Sequence, residues 1–323
     1  MKRKHANIPI FIPHLGCPNA CVFCNQRTIS GHGEFKIEDV KNEIDTALST
    51  IDAQTEKEIA FFGGSFTGIE RSLMTDLLDL AEGYVKSGAV SEIRLSTRPD
   101  YIDTEILDIL SCYSVKTIEL GLQSLNDRVL EASKRGHNRE CAIRACKAIK
   151  ERGFSLIGQM MIGLPMSTPS DEISTAELIC SMNADGARVY PTVVFADTEL
   201  ALMMCEGRYS ALDTDEAVVR TKKVLDVFDR AGVPCIRVGL CASENLRDAS
   251  KAIAGASHEA IGEMAMSELF FDRISAELEK RSIRGGKLVI FVSKGATSKA
   301  VGHKRKNKER HIIGQRHCRY DKQ

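Results

Sequence analysis

Short runs of β-branched and aromatic residues alternate with amphipathic stretches through most of this chain. The strand-like runs are "NIPIFIPH", "EIAFFGG", "EIRLST", "TIELGL", "SLIGQMMIGL", "GARVYPTVVF" and "PCIRVGL". Between them lie segments such as "IEDVKNEIDTALSTI", "LMTDLLDLAEGYVKSG", "RECAIRACKAIKERG", "DEISTAELICSM" and "TDEAVVRTKKVLDVFDRAG", apolar at helical spacing and closed by Gly or polar stops. Strands alternating with helices of this length imply βαβ units and a parallel sheet. Six or seven units within about 240 residues suit a barrel or partial barrel, although periodicity alone does not separate these from an open sheet.

The rhythm weakens after Leu240. "HEAIGEMAMSELFFDRISAELEKR" reads as a long helix and "KLVIFVSKG" as a strand, and the end, "GHKRKNKERHIIGQRHCRYDKQ", is rich in Lys, Arg and His. A soft boundary near Glu244 divides a core of residues 1–244 from an extension of residues 245–323. Lys+Arg 44 balances Asp+Glu 44, so no global field draws the protein to nucleic acid or membrane. Pro9 and Pro13 interrupt the apolar start and no small-residue cleavage site follows, which argues against a signal peptide. No stretch reaches the roughly 18–20 apolar residues of a membrane span, so the cytoplasm is the default.

There are eleven cysteines, an odd number without an export signal, which favours metal ligation over disulfides for any clustered set. "GCPNACVFC" is such a set: Cys17, Cys21 and Cys24, spaced C-x3-C-x2-C between the first strand and the first helix. Zinc closed by His14 as Cys3His is one reading, but no second C-x2-C knuckle accompanies it. A four-iron cluster takes one thiolate per iron, so three thiolates leave one iron open to an outside ligand, as in a reactive site. Cys112, Cys141, Cys146 and Cys180 fall in helix-like segments and read as small buried residues. Cys205, Cys235, Cys241 and Cys318 share no ligand-like spacing.

With Phe23 just before the last cysteine, the C-x3-C-x2-C loop resembles that of the radical SAM superfamily. The resemblance implies a parallel (βα)6-type partial TIM barrel whose three cysteines, Cys17, Cys21 and Cys24, hold a [4Fe-4S] cluster. The open iron would chelate S-adenosylmethionine, and one electron from the cluster would cleave it to a deoxyadenosyl radical that takes hydrogen from a substrate. It also implies an electron donor such as a flavodoxin or ferredoxin.

Other motifs sit at the carboxyl ends of successive strand-like runs, the end where barrel active sites assemble. In "FFGGSFTG", Gly63 and Gly64 allow close backbone approach, and the stretch resembles the superfamily's glycine motif for the methionine amino group, with Ser65 where Glu or Thr is more usual. In "LSTRPDYI", Ser96 can hydrogen-bond a ribose and Arg98 can grip a carboxylate bidentately. "ELGLQSLND" is similar to the "GxQS" signature of the coproporphyrinogen-oxidase-like and Elongator-like branches, which places Gln123 and Ser124 in the cofactor pocket. Glu119 lies on the same strand face as Gln123. Arg135 in "KRGHN" matches a cofactor-contacting Arg of those relatives, and Gln159 in "GQMMIGLP" stands where the porphyrin branch has Asp. Met160 and Met161 read as core, and "GLP" resembles the adenine-side turn.

The phrases "HLGCPNACVFCNQ", "FFGGSFTGI", "LSTRPDYID" and the "YPT" to "IRVGL" stretch are most similar to the Elongator-catalytic-subunit-like proteins. Those relatives modify a wobble uridine of tRNA. No glycine-rich acyl-CoA loop is found, so no acetyltransferase activity is expected. Lys304, Arg305, Lys306, Lys308 and Arg310 make a basic patch that could contact tRNA, with a solvated tail as the alternative. A small molecule or tetrapyrrole is the other substrate reading, and a non-catalytic iron–sulfur or zinc protein the third. His258 is a helix-start residue or a substrate contact.

Overall fold

In the computed structural model the chain is described at residues 5–12, 17, 21–24, 35–240, 248–283, 286–313 and 316–322. Alternation along β1 (His5–Ile12) sends Ile8, Ile10 and Ile12 into the core and leaves Phe11 64% exposed on the opposite face. The order then runs α1 (Ile37–Thr50), β2 (Glu56–Gly63), α2 (Arg71–Lys86), β3 (Glu92–Thr97), α3 (Thr104–Ser111) and β4 (Val115–Gln123). It continues through α4 (Asp127–Ala132), α5 (Arg139–Glu151), β5 (Ser155–Ile162), α6 (Pro169–Ser181) and β6 (Gly186–Pro191). After β7 (Val193–Phe195), α7 (Glu199–Cys205) and α8 (Thr214–Arg230), the main sheet closes on β8 (Cys235–Val238).

The sheet has seven strands in the order β1-β2-β3-β4-β5-β6-β8, with every neighbouring pair parallel. Its two edges, β1 and β8, make it a partial barrel, as the alternation implied. Helices take their starts from polar caps: Asp103, Asn126, Asn138, Thr168, Thr198 and Asp213 each accept a first-turn amide of the helix that follows. Their buried stripes, such as Met74, Leu77 and Leu78 of α2 and Val224, Leu225 and Phe228 of α8, pack on the outer face of the sheet in one large core.

The run "GARVYPTVVF" splits. Pro191 brings no amide to continue the ladder, and Thr192 ties back to the Ile162 carbonyl through both its N–H (2.9 Å) and its hydroxyl (2.7 Å). Beyond it, β7 leaves the main sheet and pairs antiparallel with β9 (Ala252–Gly255). Helices α4 and α7 are short, seven residues at most, and the sequence offers too few turns there to display a period.

Glu244 lies outside the described residues. Beyond it, α9 (Ile261–Lys280) buries Ile261, Ala265 and Leu269 in the same core as the barrel helices. Its Arg273 bonds Asp226 (2.7 Å) and Asp229 (2.6 Å) of α8. β10 (Gly286–Val292) pairs in parallel with β11 (Arg316–Lys322), flanking α10 (Thr297–Val301) and α11 (Lys306–Ile313). The basic patch falls on and before α11. Lys304, Arg305 and Lys306 are exposed, whereas Arg310 donates from Nη1 to both carboxylate oxygens of Glu268 (2.9 and 2.8 Å) and lies 3.4 Å from the centre of the Phe271 ring. Buried Asn307 donates to the Ser267 carbonyl at 2.7 Å, so α11 is docked on α9.

The cysteines outside the loop divide by position. Cys146 is buried and its thiol is pushed up to about 12 by desolvation. Cys141 and Cys180 are half-buried. Cys112 is exposed, contrary to its reading as a buried residue: it is the C-cap of α3, where the chain turns out of the helix and the apolar stripe ends. Cys241 lies outside the described residues.

Gly63 is the tightest joint of the sheet. Its φ is +104°, and a Cβ there would stand 2.5 Å from the Ile12 carbonyl oxygen, backbone that cannot step aside. Gly63→Ala is expected to destabilise the fold by roughly 1–3 kcal/mol. The check is urea denaturation of the metal-free protein, with a lower midpoint at unchanged slope.

Candidate active site

Strands buried on both faces of a parallel sheet are ordinarily apolar throughout. Here the inner face carries charge. Glu119 of β4 is completely buried and its carboxylate collects three neighbours. Arg94 of β3 donates at 3.0 Å, Arg188 of β6 at 2.6 Å, and the Gln159 amide of β5 at 2.7 Å. Gln159 also reaches the Ser96 hydroxyl at 3.5 Å, and Arg94 donates at 2.7 Å to Glu58, itself fully buried on β2. Arg188 lies 5.5 Å from the centre of the Phe62 ring, a cation–π contact. Burial pushes the Tyr190 hydroxyl up, opposed by the charge of Arg188. The lumen is thus a chain of carboxyl groups paired with guanidiniums, as burial at this depth favours.

The cysteine loop sits at the carboxyl end of β1. Cys17, half-buried, brings its sulfur to 3.2 Å from the Ser65 hydroxyl in the turn after β2. Cys21 is buried, and two guanidiniums point at its sulfur: Arg135 Nη1 at 3.2 Å and Arg98 Nη1 at 3.8 Å. The Cys24 N–H bonds the Cys21 carbonyl at 3.0 Å, closing a turn. Between them, Val22 is 1% exposed and is gripped from both sides. Its N–H donates to the Ser133 carbonyl (3.2 Å), and its carbonyl accepts from Leu200 N–H of α7 (2.8 Å). Its side chain completes a small apolar cluster with Val194, Leu200, Ala201 and Met203.

The residues read from the sequence meet different fates. Ser96, Glu119 and Gln159 come together in the lumen network. Ser65 is buried beside Cys17. Gly63 is explained by its contact with Ile12, and the Gly64 N–H is used on the same carbonyl (3.3 Å). Gln123 takes φ +63° at a register shift in the β4–β5 ladder, and its amide folds back over Gly121, with its buried carbonyl oxygen unpartnered. Strict alternation with Glu119 therefore breaks at the end of β4. Ser124 is buried and accepts from the Asn126 N–H at 3.2 Å, a turn contact.

Arg135 donates to the Gly121 carbonyl at 2.6 Å as well as to Cys21. Arg98 differs most from its reading: the fork suggested for a cofactor carboxylate is taken by Asp100, with Nε and Nη2 each at 2.9 Å. The "GLP" turn is held by buried Glu172, whose Oε1 accepts from Gly163 N–H (2.8 Å) and Arg220 (3.2 Å), and by Tyr209, which donates to the Gly163 carbonyl at 2.7 Å. Gly163 has φ +78°, and a Cβ would strike the Leu212 side chain at 2.6 Å. Met160 is core, while Met161 is half-buried on the strand face of Gln159. The His258 Nδ1 accepts from Ala260 N–H at 3.1 Å at the start of α9. His14 lies outside the described residues.

Glu58, Arg94, Arg188, Tyr190, Asp100 and His137 were missed. For the strand residues a signal was available: "EIRLST", "GARVYP" and "PCIRVGL" each carry an arginine inside a run otherwise fit for a buried strand. His137 is fully buried at its side chain and 3.8 Å from Asp100. Burial, then the charge of Arg135, pushes its pKa down to about 4. Burial opposes charge on Asp100, yet the Arg98 fork holds its carboxyl below the usual range.

Residues 11–179 match the radical SAM superfamily and residues 184–270 a radical SAM C-terminal domain. The chain belongs to the radical SAM superfamily. It is 30% identical to the uncharacterized protein MJ0486 of Methanocaldococcus jannaschii over 230 residues, 67% of this chain and 70% of that one. It is 29% identical over 127 residues to the tRNA uridine(34) acetyltransferase of Methanocaldococcus infernus, 38% of this chain and 24% of the relative. The solved structure of the M. infernus Elp3 with an N-terminal deletion superposes with a TM-score of 0.62 at 18% identity, covering 87% of this chain and 64% of that one. The chain therefore spans about a quarter of the acetyltransferase and under two thirds of the solved Elp3 chain, and the resemblance to the Elongator type read from the sequence holds within that span.

Membership makes this radical SAM protein an enzyme, with a [4Fe-4S] cluster and S-adenosylmethionine as its cofactors. Among the described residues no three His, Cys, Asp or Glu side chains converge as a preformed metal site. The donor chemistry nevertheless fits the cluster: two guanidiniums on one buried sulfur suit a thiolate ligand and would be wasted on a thiol.

Two outcomes follow from this geometry. Val22→Asp is expected to lower iron and sulfide content after reconstitution several-fold while helicity by circular dichroism is retained, because a charge cannot enter the α7 cluster. His137 has a folded-state pKa below its unfolded value of 6.5, so the unfolded chain binds more protons between pH 6.5 and about 4. Stability is thus unaffected above that window and falls as pH drops through it. Denaturation at pH 7 and pH 5 should show the loss, and His137→Gln should show less of it.

Proposed function

We propose that this radical SAM protein binds its cluster through Cys17, Cys21 and Cys24 and receives S-adenosylmethionine in the lumen between the cysteine loop and the network of Ser96, Glu119 and Gln159. The observation that carries this reading is the coincidence of a cysteine loop with a charged, paired lumen in a barrel whose strands are otherwise apolar. When bound and reduced, the cluster supplies the electron that breaks a C–S bond of S-adenosylmethionine and so generates a radical able to take hydrogen from a substrate. The residues of this chain do the rest. Ser65 and the backbone of Gly63 and Gly64 set the rim beside Cys17, Arg135 faces Cys21 with Gln123 folded over Gly121, and Ser96, Glu119 and Gln159 offer acceptors and donors to ribose hydroxyls and polar groups. The lumen wall keeps these groups paired and oriented before any ligand arrives, so binding costs little reorganisation.

The substrate we propose is a tRNA uridine. The relatives named for tRNA support it, as does the exposed set Lys304, Arg305 and Lys306, which can meet phosphates. A small one-electron protein such as a flavodoxin or ferredoxin is the proposed reductant, and the cytoplasm the proposed location; among the described residues no helix is long and apolar enough to cross a membrane.

The test is anaerobic reconstitution with iron and sulfide, reduction in the presence of S-adenosylmethionine, and assay for deoxyadenosine. Deoxyadenosine from the wild type and none from Cys17→Ala is the expected result; zinc uptake without cleavage would overturn it. For the substrate, tRNA should bind at low salt and weaken in Lys304→Ala/Arg305→Ala. A knockout with unchanged tRNA nucleosides and an altered small metabolite would replace the tRNA reading with a small-molecule one.

A further inference from the structure

The contacts behind Cys21 form an ordered chain. Asp100 takes two donors of Arg98 at 2.9 Å each. A third interaction of the same guanidinium goes to the Arg135 carbonyl, and its remaining nitrogen faces the Cys21 sulfur at 3.8 Å. Arg98 has a side chain only 4% exposed and enters from the turn after β3, 77 residues from Cys21 in sequence. Arg135, which also faces the sulfur, is anchored on the Gly121 carbonyl. Four of the five N–H donors of the Arg98 head are thus directed at protein groups, and the edge that would fork onto a cofactor carboxylate is taken by Asp100.

A guanidinium held this rigidly is a fixed charge. Reducing an iron–sulfur cluster adds one negative charge to it, and hydrogen bonds and cations near its sulfurs favour that reduced state. Burial lowers the local dielectric and enlarges the effect. Asp100 works in the opposite sense at longer range, and His137, neutral in its buried position 3.8 Å from Asp100, adds no charge of its own near neutral pH.

We infer that Arg98 is a positioning residue that Asp100 locks against Cys21, and that it sets the reduction potential of the cluster which Cys21 ligates. The inference rests on the cluster reading above and concerns reduction, not the grip on S-adenosylmethionine.

The experiment is a redox titration of the reconstituted full-length protein without S-adenosylmethionine, followed by electron paramagnetic resonance of the reduced cluster. Arg98→Met is expected to keep its iron and sulfide and to titrate at a more negative potential than wild type. Arg98→Lys, which keeps the charge, should recover most of the shift. Asp100→Asn, which loosens the lock, should also titrate at a more negative potential, although the loss of its own charge alone would act the other way.

If Arg98→Met fails to fold or to load, Asp100→Asn decides: a negative shift supports the assignment, and an unchanged or more positive potential overturns it. An unchanged potential in a fully loaded Arg98→Met, with weakened binding of S-adenosylmethionine, would overturn it in favour of a cofactor-gripping Arg98. If the wild type itself takes up no reducible cluster, the underlying reading falls and this one with it.

Discussion

A single buried carboxylate organises the inside of this barrel. Glu119 stands at the middle of the sheet, on the fourth of seven strands, and ties β3, β5 and β6 to β4 through side chains rather than backbone. A buried ion pair gives little net stability against an apolar replacement of the same shape, because desolvation offsets most of the attraction. Breaking one side of it is another matter, since the partners left behind are charged and dry, at a cost of about 3–5 kcal/mol. The lumen therefore holds polar groups for chemistry in a form that the fold cannot lose piecemeal.

The cysteine loop has the opposite character. It contributes little to the core and is held by what surrounds it: the Ser133 carbonyl, the amide of Leu200, two guanidiniums and the Ser65 hydroxyl. The contacts come from the turns after β2 (Ser65) and β3 (Arg98), from the connection between α4 and α5 (Ser133 and Arg135) and from the first turn of α7 (Leu200). A rigid lumen with a loop held over it separates the part that must keep its shape from the part that must accept a cofactor.

Much of this was legible in the sequence because parallel βα units repeat a strong pattern, and because three cysteines within eight residues admit few uses. Ser96 and Gln159 were singled out by the motifs at the ends of their strand-like runs and Glu119 by its pleat relation to Gln123, and the three meet in the lumen. Gln123 did not follow, because a left-handed residue at a register shift cannot be seen in a hydrophobic pattern. Arg98 sits on its turn as read, and what the sequence pattern did not show is that its fork meets Asp100, two residues away across Pro99. The inward arginines of β3 and β6 were hidden by the apolar residues on either side of them, and the pairing that makes them tolerable is between strands far apart in sequence. Cys112 shows the complementary limit, since helical spacing predicts burial only while the helix lasts.

Val22 lies near the start of the chain, and the α7 residues that enclose it lie nearly two hundred positions later. On a ribosome the cysteines emerge long before their clamp exists. The nascent loop then has thiols but no pocket, and the order of synthesis imposes a waiting time: stable capture of metal belongs to the finished chain, and during that interval the thiols are open to oxidation and to wrong metals.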